Sequence, residues 1–125
     1  MNMSARARIW INRSCKLTIL FFIVILIAPY GCDVANRLGA HECKRESDGN
    51  LYIGEMCYLS TGDSMVFRLY DAKSGELLAE RTYNHPEPKI IWSGGSVIYD
   101  TSPSDGIGYV DLPPTRWDRL RARLP

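Results

Sequence analysis

Hydrophobic positions in this chain follow two patterns. Residues 17–28 are apolar without a break apart from Thr18, and none is charged. From residue 51 onward, apolar positions either alternate with polar ones or recur at helical spacing. An unbroken run marks a helix apolar all round, whereas alternation marks strands with one face buried. The run extends to residue 31, about 22 Å of helix at 1.5 Å per residue. That is short for a bilayer span and suits the apolar centre of an export signal. Pro29 is expected to end this helix at Ala28, because proline lacks the N–H that continues the ladder.

The alternating part reads as an antiparallel meander of about five strands, at 51–59, 64–70, 77–83, 89–92 and 97–100. In the first, Leu51, Ile53, Cys57 and Leu59 share one face, and Tyr52, Met56 and Tyr58 share the other. In the second, Met65, Phe67 and Leu69 point inward and Arg68 outward. Asp71 to Glu76 forms a tight hairpin, with Asp71 bonded to its own turn and Gly75 at positive φ. This hairpin resembles the Asp-x-x-Ser/Thr-Gly turn of β-propeller blades over about twenty residues, but it occurs once and a propeller needs several repeats. Gly94 and Gly95 make a two-residue turn, expected at positive φ. Counting outward pairs Trp92 with Val97, Ile91 with Ile98, Ile90 with Tyr99 and Lys89 with Asp100. Residues 108–112 suit a short sixth edge strand. Pro113 and Pro114 then introduce a helix over 115–124. Its stripe of Trp117, Leu120 and Leu124 reads as core packing against the sheet, with the arginines around the other side. The predicted class is therefore α+β: an N-terminal apolar signal or anchor helix, a small antiparallel meander and one C-terminal helix.

Charge gives this pattern a direction. Arg6, Arg8, Arg13 and Lys16 precede the apolar run with no acid among them, and Asp33 is the first acid of the chain. The total of +1 less the head's +4 leaves −3 for the rest. Positive flanks stay on the cytoplasmic side, so the body is expected outside the cytoplasm. The expected organisation is a basic cytoplasmic head at 1–16, an apolar signal or membrane anchor at 17–31, a tether at 32–50 and an exported domain at 51–125. A body of negative net charge lacks the basic footprint of a nucleic-acid binder, so nucleic acid is excluded as a partner.

The four cysteines sort by compartment. Cys15 belongs to the basic head. Cys43 and Cys57 lie in the body, where an oxidising envelope makes them candidate disulfide partners. Burial of Cys57 as a small apolar residue is the alternative. Ala28-Pro29-Tyr30-Gly31-Cys32 resembles the end of a bacterial lipoprotein signal, with Gly31 as the small residue before the cysteine. Pro29 and Tyr30 depart from that pattern. The resemblance implies lipidation of Cys32, with Asp33 in the position that favours inner-membrane retention. A retained short span, or cleavage and release, are the other outcomes. From Asp71 through Leu112-Pro113-Pro114 and the closing residues 119–125, the chain also resembles small uncharacterised bacterial envelope proteins, a likeness that implies no activity.

Candidate chemistry is sparse. His41 lies in the tether and His85 between a strand and two prolines, neither beside a nucleophile in a motif. With Cys43 and Cys57, His41 and His85 make up the available zinc ligands, without the spacing of a zinc site. Asp105-Gly106-Ile107-Gly108 lacks the strand-to-helix setting of a phosphate loop. Asp100, Asp105 and Asp111 fall short of a calcium loop. No catalytic residue, metal or cofactor is expected. Six tyrosines, at 52, 58, 70, 83, 99 and 109, are too many to bury in so small a domain. Tyr52 and Tyr58, with Arg116, Arg119 and Arg123, are the candidate partner surface. The expected function is a non-enzymatic binding or accessory protein of the envelope, immunity- or chaperone-like, tethered to the inner membrane and facing the periplasm, with an envelope protein as partner. A small envelope hydrolase or metal-dependent enzyme, and a structural envelope component, are the alternatives.

Overall fold

A computed structural model describes residues 5–84, 89–102 and 107–125, with side chains from Ile9 onward. The chain divides into two compact units, Met1–Ala35 and Asn36–Pro125.

The first unit is helical. Helix α1 (Ala5–Leu38) carries Pro29 inside it. Its stretch Ile9–Leu38 is long and apolar enough to cross a membrane, and lies near the N-terminus, where a signal sequence has the same character. The expected stop at Ala28 is therefore corrected. Pro29 removes one backbone donor, but in an apolar stretch the helix remains the conformation that satisfies the other backbone groups within the segment.

The second unit is an α+β fold of two antiparallel sheets and a short helix. The first sheet holds β1 (His41–Asp48), β2 (Tyr52–Tyr58), β3 (Met65–Asp71) and β4 (Leu77–Tyr83), in that order. The second holds β5 (Ile91–Ser93), β6 (Ser96–Asp100) and β7 (Gly108–Asp111), also in chain order. Helix α2 (Arg116–Ala122) follows and lies against β4. Alternation predicts each of β2 to β7 to within a residue or two. The meander nevertheless splits: β4 and β5 belong to different sheets. Residues 85–88 between them, with His85, lie outside the described residues, as do 105 and 106 of the glycine loop at 105–108.

The tether at 32–50 is a second correction. Its first part continues α1, and its remainder is the edge strand β1, paired with β2 from His41↔Tyr58 to Asp48↔Tyr52. His-Glu-Cys-Lys-Arg-Glu-Ser-Asp has no apolar alternation to announce a strand, and all eight residues are exposed. Pairing with β2 makes it one, and its charges discourage further strands from adding at that edge. Between His41 and Lys44 the register slips, with Glu42 at φ 50° forming the bulge. Beside it, Cys43 and Cys57 are joined in a disulfide across the two strands. Closing a loop with a sequence separation of 14 constrains the unfolded chain by about 3 kcal/mol.

The core lies between the two sheets. Met56, Met65, Phe67, Leu69 and Ala79 from the first sheet meet Val97 and Val110 from the second, with Ile90 and Tyr83. Phe67 stacks on Tyr99 with ring centroids 5.1 Å apart. The sheets approach closely at Gly54, where a Cβ would stand 2.8 Å from Ile90 Cδ1 and 3.3 Å from Phe67 Cε2. A side chain there would force the sheets apart. The turns follow the sequence in part. Asp71 Oδ1 accepts from the backbone N–H groups of Lys73 and Ser74 at 2.9 and 2.8 Å, and Gly75 sits at φ 70°. Trp92↔Val97 and Ile91↔Ile98 pair as counted. Gly94 and Gly95 make the turn without positive φ. The Ile90–Tyr99 and Lys89–Asp100 rungs do not form, because β5 starts at Ile91 and both Ile90 and the Tyr99 ring turn into the core.

Candidate interaction surface

Three features of the second unit gather polar or exposed side chains: the outer face of the first sheet, a cleft at one end of the strands, and helix α2.

On the outer face, successive strands place Arg45 opposite Glu55, Glu55 opposite Arg68, and Arg68 opposite Glu80. The signs alternate across all four strands. Arg45 Nε meets Glu55 Oε2 at 2.6 Å, Arg68 Nη1 lies 3.7 Å from Glu55 Oε1, and Arg68 Nε meets Glu80 Oε2 at 2.8 Å. Arg37, in the last turn of α1, donates to Glu80 Oε1 at 2.6 Å. The Tyr70 hydroxyl donates to Glu55 Oε1 at 3.1 Å, and Arg45 lies over the Tyr70 ring. Burial opposes ionisation of Glu80, but the hydrogen bonds from Arg68 and Arg37 overcome it and hold its pKa below the usual range. Burial, then the neighbouring Glu55 charge, pushes the Tyr70 hydroxyl up. Each charge of the ladder already faces an opposite one, so this face is a closed circuit rather than an anion or cation site. The ladder escaped the sequence reading, which saw only that Arg68 points away from the core. Counting register outward from the hairpin brings Arg68 opposite Ala79, and only the irregularity between Leu69 and Tyr70 moves it opposite Glu80.

Cys43, Glu55 and Cys57 bring potential metal-ligand atoms within 4.8 Å of one another. The disulfide commits both sulfurs to each other, and Glu55 is engaged by Arg45, Arg68 and Tyr70, so the oxidised domain offers no thiolate here. His41 is exposed on β1, its ring nitrogen 3.4 Å from the Gly39 carbonyl. Cys32 is exposed and unpaired on α1, as is Cys15.

The cleft has a volume of about 320 Å³ and is lined by Thr82, Tyr83, Asn84, Tyr99, Asp100, Ile107 and Gly108. The Tyr83 hydroxyl lies 3.1 Å from the Met56 sulfur, and burial followed by the Asp100 charge pushes its pKa well up. The Tyr83 side chain is buried in the core cluster. Tyr52 and Tyr58, read as a partner surface, are half-buried and packed against the core. They share a face with Met56, and the second sheet covers that face.

Helix α2 departs furthest from expectation. Its buried residue is Asp118, while Trp117 is 73%, Leu120 51% and Leu124 56% exposed. The apolar stripe read as core packing therefore faces solvent. Pro114 is buried and Ala122 half-buried, which with Asp118 gives a second stripe of spacing four that faces β4. The reason is the helix start. Thr115 and Asp118 form a capping box, with Asp118 N–H donating to Thr115 Oγ1 at 3.2 Å and Thr115 N–H donating to Asp118 Oδ2 at 3.1 Å. The same carboxylate then accepts from Arg81 of β4 through Oδ1. Burial opposes its charge, but the Thr115 bonds and Arg81 outweigh this and hold its pKa below the carboxylate range. With Asp118 pinned to β4, Trp117, Leu120 and Leu124 turn outward. Arg116, Arg119 and Arg123 are exposed, and Arg123 reaches Glu76 at 3.0 Å. At 100° per residue, Arg116, Arg119 and Arg123 fall on one side of the apolar ridge and Arg121 on the other.

No protein family, curated protein or solved structure matches the chain.

Proposed function

We propose that this protein is a non-enzymatic accessory module of the bacterial envelope, tethered to the inner membrane by α1, with its body facing the periplasm and α2 as its interaction surface. The observation that carries the reading is the Cys43–Cys57 disulfide, later in the chain than a helix that is long and apolar enough to cross a membrane. Disulfides persist in oxidising compartments, and the basic residues before the apolar run are retained on the cytoplasmic side. The unpaired Cys15 falls among those basic residues, where thiols stay reduced. Continuity of α1 through Pro29 to Leu38 favours a retained span over cleavage and lipidation before Cys32.

Thiol labelling in intact cells tests the reading. A membrane-impermeant maleimide should modify Cys43 and Cys57 only after reduction, and Cys15 only after the inner membrane is breached, with the protein in the membrane fraction. Mass spectrometry should return the uncleaved chain. A soluble cytosolic protein with all four thiols free would refute it.

A further inference from the structure

We propose that α2 docks on an anionic phospholipid surface, with Trp117, Leu120 and Leu124 entering the headgroup boundary and the arginines beside them binding lipid phosphate. The inference rests on the tethered reading above and names the partner of the surface that reading assigns to α2.

Three observations carry it. The first is the ridge itself. Three large apolar side chains are each more than half exposed: Trp117 and Leu120 on a helix of seven residues, and Leu124 just past its end. Exposed apolar side chains grouped on one flank of a helix mark an interaction site or a lipid surface. Tryptophan, with an apolar ring and one polar N–H, is the side chain that settles at a membrane–water boundary.

The second is charge. Residues 113–125 hold Arg116, Arg119, Arg121 and Arg123 against a single acid, Asp118. That acid is buried and neutralised by Arg81. With Arg123 reaching Glu76, Arg116, Arg119 and Arg121 still make the surface offered by α2 cationic on a body whose net charge is −3 by subtraction of the head from the total. Arginines on both flanks of an apolar ridge form the pattern of a helix lying in a headgroup plane, where each contributes through attraction to anionic lipid. An acidic protein groove would satisfy the same charges, but a chain already anchored in lipid meets the bilayer at high effective concentration before any diffusing partner.

The third is orientation. The capping box and the Arg81 bond fix the rotation of α2 about its axis, so the ridge is held outward by the fold. No rearrangement is needed to present it, and the ordering cost of binding is small.

The test uses the full chain with phosphatidylcholine vesicles, with or without phosphatidylglycerol, containing lipids brominated along the acyl chain. Flotation reports the tether. The difference in tryptophan emission between the native chain and Trp117→Phe reports Trp117 alone. The expected result is flotation with both lipids, and a Trp117 signal that is blue-shifted and quenched only when phosphatidylglycerol is present. That quenching should be lost in the Arg116→Glu/Arg119→Glu/Arg121→Glu chain, which still floats, and should fall as salt is raised on the native chain, a reading that needs no variant to fold. A chain that floats while Trp117 stays in water with both lipids overturns the docking inference and leaves the tether standing. Flotation only with phosphatidylglycerol, abolished by the triple substitution, supports docking and overturns the tether. No flotation with either lipid overturns both.

Discussion

The two faces of the first sheet are built from the same strands and obey different rules. Toward the second sheet, β2, β3 and β4 present Met56, Phe67, Leu69 and Ala79. On the other side the intervening residues are Glu55, Arg68 and Glu80, with Arg45 from β1 completing the row. Both faces are largely shielded from water: Phe67 is fully buried and the Glu55 side chain only 6% exposed. The apolar face gains stability in rough proportion to the area it removes from water, whatever lies opposite. The charged face gains only if each residue meets an opposite charge, because an unpaired ion loses its hydration with nothing in return. One face tolerates approximate partners. The other depends on register.

The largest effect should come from the apolar face. Phe67→Ala removes the ring that stacks on Tyr99 and opens a cavity between the sheets, at a cost of about 3–5 kcal/mol. For a domain with a margin on the order of 5–10 kcal/mol, urea unfolding should show the midpoint collapse toward zero denaturant.

On the charged face, the contrast lies between breaking one partner and replacing two. Glu80→Ala takes the nearest carboxylate from Arg68 and Arg37, each under a fifth exposed, and should cost about 2 kcal/mol, below the figure for full burial because the groups keep some water and Arg68 keeps Glu55. Arg68→Met/Glu80→Met should cost less than Glu80→Ala alone, since Arg68 leaves with its carboxylate and only Arg37 loses Glu80, while Glu55 keeps Arg45 and Tyr70. Equal or greater loss in the double variant would place this face under the same rule as the core.

The smallest effect is on pH dependence, through one acid of the charged face, Glu80, and the acid that holds α2, Asp118. Glu80 and Asp118 have folded pKa values below their ordinary 4.5 and 3.8. Their contribution is therefore complete above those ordinary values and is lost as pH falls through them toward the folded values. Unfolding midpoints should be level from neutral pH down to about 5 and then decline on further acidification. Glu80→Gln/Asp118→Asn should start lower and decline less steeply. An unchanged slope would show that other carboxylates govern acid unfolding.

The same division explains what was legible beforehand. Strands β2, β3 and β4, and the turns between them, were readable because alternation and turn chemistry are local. Arg68 was readable only as facing away from the core, since its partners Glu55 and Glu80 come from neighbouring strands. Strand β1 was invisible because nothing in its own eight residues prefers a strand over a loop. Tyr52 and Tyr58 were placed on the right face of β2, but which face is the core depends on where the second sheet lands.

Helix α2 draws the line most sharply. The sequence by itself determined that a helix follows Pro114, that Trp117, Leu120 and Leu124 share a stripe, that arginines flank it, and that an uncharged run after a basic head stands apart from the rest. Those are consequences of helical spacing and local charge. Only the tertiary structure decided that the apolar stripe faces outward, because that required Arg81, thirty-seven residues away in the chain, to meet Asp118 and fix the rotation of the helix. Periodicity says which side chains lie together. It takes a partner from another strand to say which way they point.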